Sequence, residues 1–558
     1  MTGLIFKAFG GVDFKMKKIQ VNLLGYMTGM PKAAVCGVNT DIFYVVDADR
    51  NISIYADRLS PRFYDRESGN MVRLADFSDF NTTGRFYLRA GYRRSDIFEI
   101  SGTPYKNIRG EVLHGIYLNR CGFDYAKDDM EGRTAGRYSR GCCHSEPVRA
   151  AGGLLTATGG WHSGGGYGKN LLCACTALGT MMYAMKLFPK SIEGRERVLM
   201  TDECRWGLEW LLKMQRNDGS VYDRIYTEDE CGCVIPEDDE YEYRAGEMSC
   251  LAALRFTAAA ALGAQLFSED DKAFSVKLAK AAEQSWLWIL QTEEFGYYMD
   301  PAGAASPDGD GVYPLEGEFM WAMCEMYALT GSDSFREMIG KKYIMSEFSG
   351  FGNHSCGGFA ALAYLLCGRA TDRDAEALIR KRVTDKAGRL WIADRGSGYH
   401  TARSAGGGYM FASNFHVLSD CMTFITAYLI SGDRNFLTGA TDQLSYIFGV
   451  NPMGAAYMTG NGENRCGSPS HRLSAAFEAA HGGIVGGMVV SGPNFMRNDE
   501  YSKWHIDREA PPAKCYVDSA FSSSTNMPSV QFSAPLIFIS AFYDKVGRSA
   551  LSGVRGQG

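Results

Sequence analysis

No apolar run in these 558 residues approaches the ~18–20 residues that a membrane span needs, so no membrane partner is expected. Basic charge is not in excess either. Against 58 Lys and Arg stand 64 Asp and Glu, a formal charge of −6 that leaves no electrostatic footprint for nucleic acid. The opening segment, MTGLIFKAFGGVDFKMKK, has no basic stretch followed by a long apolar core, so an export signal is not expected. Neither an internal repeat nor a low-complexity tract is present. One absence is local: no Asp or Glu occurs between Glu146 and Glu193.

What is present suits a folded chain of two or more domains, with 46% apolar and 22% charged residues. Sixteen cysteines invite a disulfide framework. Several, however, sit inside helical apolar patterns (Cys173, Cys175, Cys250, Cys324, Cys367), where a thiol packs as a small hydrophobe. Reduced cysteines in a cytoplasm are the expectation.

Residues 18–102 alternate apolar and polar in short segments such as IFYVVDA (42–48), separated by turn clusters, and predict a β-sandwich. A short linker at about 103–108 follows. Beyond it, apolar residues recur at i, i+3, i+4 and i+7. The clear helical segments are 171–187, 203–214, 249–267, 273–291, 318–330, 412–430 and 530–544; weaker ones lie at 108–120, 334–346, 357–367, 373–383 and 434–448.

The segment GGWHSGGGYGK (159–169) resembles the GGW(Y/H)DAGDYGK signature of glycoside hydrolase family 9, a family of inverting β-glucan hydrolases. Other matches run in order along the chain. KIQVNLLGY (18–26) and DFSDFNTTGRFYL (76–88) resemble the first and last strands of the immunoglobulin-like module that often precedes the family's catalytic domain. RCG (120–122), CCH (142–144), IPEDD (235–239), GEFMWAMCEMYALTG (317–331), FGVNPMGAAYMTGNG (448–462), SHR (470–472) and YVDSAFSSSTNMPSVQFSAPLIF (516–538) follow. The resemblance implies a mostly α chain: an immunoglobulin-like β-sandwich at 16–103, then an (α/α)6 barrel at 104–547 with its cleft among Gly- and aromatic-rich loops.

Inverting hydrolysis needs two carboxyl groups ~6.5–9.5 Å apart, one to protonate the leaving oxygen and one to deprotonate water. At the family's two base-side aspartates this chain carries Ser163 and Gly166. At the acid glutamate of the family's NEV segment it carries Met527, in Asn526-Met527-Pro528. A thioether donates no proton, and a hydroxyl is too weak a base at neutral pH. The standard mechanism is therefore predicted to be absent. A phosphorylase would need no base, but it would still need an acid.

Substrate-binding candidates remain. Trp161 and Tyr167 flank the emptied loop, where either an aromatic platform or ordinary core packing explains them. The resemblance implies substrate contacts at Tyr457, His471 and Arg472, with Asp518 supporting Arg472 as a buried ion pair; Ser470 replaces a family histidine. Asn414 reads equally well as a helix cap, and Glu318 as a helix-start carboxylate. The run Glu237-Asp238-Asp239 reads as a solvated loop, with a substrate or calcium contact as the alternative.

Cys121, Cys143, His144 and His162 form a second constellation: two thiolates and two imidazoles suit a structural zinc ion. The resemblance supports the same set, and Cys142 would replace Cys143 if the register were off by one. Cys231 and Cys233 read as a loop pair without function. Two functional readings stay open, both with an oligosaccharide or glycan as partner. One is a non-catalytic glycan-binding pseudoenzyme; the other is a glycosidase or phosphorylase with relocated catalytic residues.

Overall fold

The computed structural model describes residues 18–125, 140–228, 234–292, 297–299, 312–342, 350–352, 355–403, 408–460 and 464–555. The chain divides into two compact units, Met1–Gly115 with Ala387–Gly558, and Ile116–Lys386.

The first unit opens with ten short strands: β1 (Ile19–Gln20), β2 (Tyr26–Met27), β3 (Ala33–Cys36), β4 (Ile42–Asp47), β5 (Ile52–Arg58), β6 (Phe63–Asp65), β7 (Asn70–Asp76), β8 (Gly84–Ala90), β9 (Arg93–Arg94) and β10 (Phe98–Ser101). They form two sheets, ordered β1-β3-β7-β6 and β2-β10-β8-β4-β5, with β9 on β8. Side chains alternate across a strand, so Phe43 and Val45 of β4, Phe86 and Leu88 of β8, and Phe98 and Ile100 of β10 all enter one core. Ala34, Cys36 and Ala75 from the other sheet close it, with Tyr26 set edge-on to Phe77 and Phe98 at 4.9 and 5.1 Å. The sandwich predicted for 18–102 is present.

That sandwich is tied to helical segments of the same unit. The Leu23 N–H donates to the Phe448 carbonyl (2.7 Å), the Asn22 amide to Ser445 Oγ (3.2 Å), and the Gly398 N–H to the Asp65 carboxylate (2.9 Å).

The principal helices are α1 (Lys106–Leu118), α2 (Leu171–Leu187), α3 (Gly194–Met214), α4 (Cys250–Leu266), α5 (Lys272–Gln291), α6 (Glu316–Thr330), α7 (Asp333–Lys342), α8 (Gly357–Leu365), α9 (Arg373–Arg395), α10 (Ser413–Ser431), α11 (Arg434–Ile447) and α12 (Arg472–His481), before a final helix Pro535–Arg555. In the second unit α2, α4, α6 and α8 are apolar nearly all round; every residue of α4 from Cys250 to Ala264 is buried. A helix without a polar face must be surrounded, and α4 packs against α2, α5 and α6. In α3 and α5 only one face is buried. Side-chain caps start three of these helices: Asn170, Ser249 and Asp271 each accept a backbone N–H of the first turn.

Every predicted helical segment is found over the described residues, with 343–346 lying outside them, and three run longer than expected, the last of them to Arg555 rather than 544. α3 begins at Gly194 rather than 203, and α9 runs on to Arg395 rather than ending near 383. Charged residues dilute the apolar period in these two extensions. α12 and the short helix Glu500–His505 were not foreseen. No helix among the described residues is long and apolar enough to cross a membrane.

Candidate functional site

The signature loop is built on backbone contacts that bring distant motifs together. Residues 119–121 run beside 160–162: the Cys121 N–H donates to the Gly160 carbonyl (2.9 Å) and the His162 N–H to the Asn119 carbonyl (2.8 Å). This pairing sets Cys121 beside His162. It requires glycine at 160, which has φ +71° and where a Cβ would lie 2.5 Å from the Trp210 ring.

Trp161, the expected sugar platform, is 3% exposed. Its indole N–H donates to the Glu203 carboxylate (2.6 Å), which also binds the Arg120 guanidinium (2.9 Å). A ring enclosed on both faces cannot stack on a sugar, so Trp161 belongs to the core. Burial raises the Glu203 carboxyl, while Arg120 and Trp161 work against that shift.

Donor atoms of Cys121, Cys143, His144 and His162 all lie within 4.8 Å of one another. Cys143 Sγ is 3.7 Å from His162 Nε2. His144 Nε2 is held by the Asp239 carboxylate at 3.2 Å, while its Nδ1 is buried without a hydrogen-bond partner among the described residues. A histidine oriented this way, one nitrogen on a carboxylate and the other free, is arranged as a metal ligand. A hydrogen bond from Cys143 lowers the Cys121 thiol to about 6, outweighing burial, with help from Lys169 and Arg140. Burial lowers His162 to about 4. Thiolate and neutral imidazole are the forms that bind metal. Cys142 is exposed and lies outside this set, whereas Cys143 lies within it.

The expected solvated loop at 237–239 is corrected at Asp239. Its side chain is buried and takes hydrogen bonds from His144 and from the Tyr243 hydroxyl (2.7 Å). Burial alone would raise this carboxyl, but those bonds hold it below the ordinary range. Cys231 and Cys233 lie outside the described residues.

At the positions of interest the loop offers little chemistry. The Ser163 N–H donates to the Gly168 carbonyl (2.8 Å), and its hydroxyl faces the same oxygen at 3.4 Å. Gly166 has no side chain. The buried Tyr167 ring sits 5.0 Å from His162, and its hydroxyl donates to the Val234 carbonyl. Beside the loop opens a cavity of about 500 Å³ whose lining includes Glu146, Arg149, Tyr167, Glu237, Tyr241 and Tyr243.

The other mapped residues lie in the first unit. Ser470 donates its N–H to the Asn526 carbonyl (2.9 Å), which sets the SHR segment beside Asn526-Met527. Asp518 is not paired with Arg472, contrary to expectation. Its carboxylate takes the Gly467 and Ser468 N–H groups (2.8 and 3.1 Å) and the Asn526 amide (2.7 Å), and so shapes the backbone under Met527. His471 is buried, with Nδ1 2.9 Å from Ser474 Oγ. Tyr457 is also buried, packed between Tyr446 and Tyr516, and is core rather than a surface contact. Asn414 is not a cap: Ala412 occupies the cap of α10, and the Asn414 amide donates to the Val490 carbonyl (3.0 Å). Glu318 does stand in the first turn of α6, but buried and 2.8 Å from Arg255. Neither buried ion pair, Arg120–Glu203 nor Arg255–Glu318, carries a signal in the sequence.

Residues 105–540 match the profile of glycosyl hydrolase family 9, and residues 15–95 match the cellulase N-terminal ig-like domain. The chain belongs to glycoside hydrolase family 9. A cellodextrinase of Butyrivibrio fibrisolvens is 27% identical over 94% of this chain and 99% of its own length. A thermostable endoglucanase from Alicyclobacillus acidocaldarius, 24% identical, superposes with a TM-score of 0.84 over 95% of this chain and 100% of that one. The structure of a zinc-binding triple mutant of a family 9 endoglucanase, 25% identical, gives 0.83 over 93% and 99%. The family assignment read from the motifs is confirmed. So is the fold: mostly α, an (α/α)6 barrel of catalytic type with an N-terminal immunoglobulin-like sandwich. The family 9 relatives are glycoside hydrolases.

Proposed function

We propose that this chain is a carbohydrate-active family 9 protein that binds β-linked gluco-oligosaccharides and does not run the family's inverting hydrolysis. One observation carries the reading. The loop from Trp161 to Lys169 keeps an ordered backbone, anchored to residues 119–121, yet offers a serine hydroxyl and a bare glycine where water would need a base. Met527, in the acid's place, has no proton to give. The cavity beside the loop, with tyrosine rings and carboxylates, suits sugar faces and hydroxyls.

Cys121, Cys143, His144 and His162 would hold a structural zinc ion, with Asp239 orienting His144. Its chemistry there is cross-linking: it would pin the signature loop to the segments carrying the other ligands. Calcium has no comparable support at 237–239, because Asp239 is already engaged. Free thiols at the described cysteines support a reducing, cytoplasmic location.

A second reading, turnover by relocated acids, is favoured by one feature: Glu146 and Glu237 line the same cavity. Mass spectrometry of the wild-type protein incubated with α- and β-linked oligosaccharides, with and without phosphate, separates the two. Binding of β-glucan oligomers without product is the expected result. A defined product abolished by Glu146→Gln or Glu237→Gln would establish the second reading and sink the first.

A further inference from the structure

A second cavity, of about 660 Å³, lies along α3 and α5 and shares no lining residue with the one beside the signature loop. Its volume falls within the roughly 300–1,000 Å³ of small-molecule sites. Four cations line it, Lys213 in the last turn of α3, Arg216 just beyond that helix, and Lys277 and Lys280 on α5; Glu209 is the one carboxylate. This concentration of positive charge stands in a chain whose formal charge is −6.

Little neutralises it. Glu209 faces Arg205, outside the groove, at 3.6 Å. Arg216 reaches Asp218 only at 3.9 Å, and the Lys213 ammonium donates to the Thr158 carbonyl (2.6 Å). Lys277 and Lys280 make no hydrogen bond or ion pair with any described residue. Burial, followed by the like charge of Lys169, lowers the Lys213 ammonium; Glu209 opposes that shift in part, and Lys277 adds a smaller push in the lowering direction. The rest of the lining is neutral, with the polar side chains of Gln215, Asn217 and Gln284 beside apolar Leu212, Phe274 and Ala281.

We propose that this groove binds an acidic saccharide, its carboxylate, sulfate or phosphate held by Lys213, Arg216, Lys277 and Lys280 and its hydroxyls by Asn217 and Gln284. Ammonium and guanidinium groups supply charge-assisted hydrogen bonds to oxyanions, and the amides suit sugar hydroxyls. The proposal stands independently of the neutral-glycan reading above.

The test is calorimetric titration of the full chain with trigalacturonate, glucose 6-phosphate, inorganic phosphate and, as neutral control, cellotriose. Saturable binding of a sugar acid is expected. It should fall about tenfold or more in Lys277→Glu/Lys280→Glu and weaken with added salt. The milder Lys277→Gln/Lys280→Gln pair guards against a variant that fails to fold. Absence of saturable binding by either sugar acid overturns the proposal. So does undiminished binding in a variant with native thermal stability, or binding of inorganic phosphate alone. Cellotriose reads the earlier proposal separately: its binding should be unchanged by these substitutions.

Discussion

Gly164 (φ +66°) and Gly165 (φ +78°) occupy the left-handed region, but Gly166 does not. An aspartate at 166 therefore demands no new backbone geometry, and Gly166→Asp should cost under about 1 kcal/mol in a denaturant titration. If only carboxylates are missing, Ser163→Asp, Gly166→Asp and Met527→Glu together should produce measurable β-glucan hydrolysis; unchanged inactivity would mean the cleft itself is reshaped. Glu203 is the opposite case. Glu203→Ala leaves Arg120 buried with only the half-exposed Asp202 as partner and should destabilise by about 3 kcal/mol, read as a lower unfolding midpoint. Asp394 adds a pH dependence. Burial, then the nearby Asp442 charge, push its carboxyl up to about 7, against Arg395 and His400. The folded state thus holds a proton that the unfolded chain has lost, so this group stabilises below about pH 4 and its contribution fades as pH rises toward 7. Asp394→Asn should flatten that part of the melting-temperature profile; an unaltered slope would remove the assignment.

Elements were legible where burial is uniform. The apolar stretches of α2, α4 and α6 announce inner helices because no polar face is left to contradict the period. The charged beginning of α3 was not legible, since a surface turn is held by its continuation and not by its own pattern. Packing between elements is similarly specific. A Cβ at Gly207 of α3 would sit 2.2 Å from the Trp161 ring, so Gly207→Ala should displace the indole, change the tryptophan emission and cost about 1–3 kcal/mol. The proposed metal set belongs to this scale too, since a bound ion would join segments near 121, 143 and 162. Elemental analysis should find one zinc per chain, lost in Cys121→Ser, and chelation should lower the melting temperature. A metal-free protein with unchanged stability would remove the zinc proposal.

At the scale of the molecule, the sandwich is part of its compact unit rather than an appendage. Asp65 is buried and accepts hydrogen bonds from the Ser68 N–H and hydroxyl and from the Gly398 N–H. Asp65→Ala orphans the buried Gly398 donor and should cost about 2–3 kcal/mol; a chain lacking residues 18–102 should express without cooperative unfolding. The sequence by itself determined the family and the order of sandwich and helices, and it supplied the proposed four-residue metal set and the proposed loss of three carboxylates. Those depend on residue identity and local period, which a string of letters carries in full. Only the tertiary structure decided that Trp161 and Tyr457 are core, that Asp518 serves the backbone under Met527 rather than Arg472, that Asp239 holds His144, and that four cations converge between α3 and α5. Those are questions of which face a side chain turns and what lies across from it. The answer comes from residues tens or hundreds of positions away, brought close by packing that no local pattern encodes.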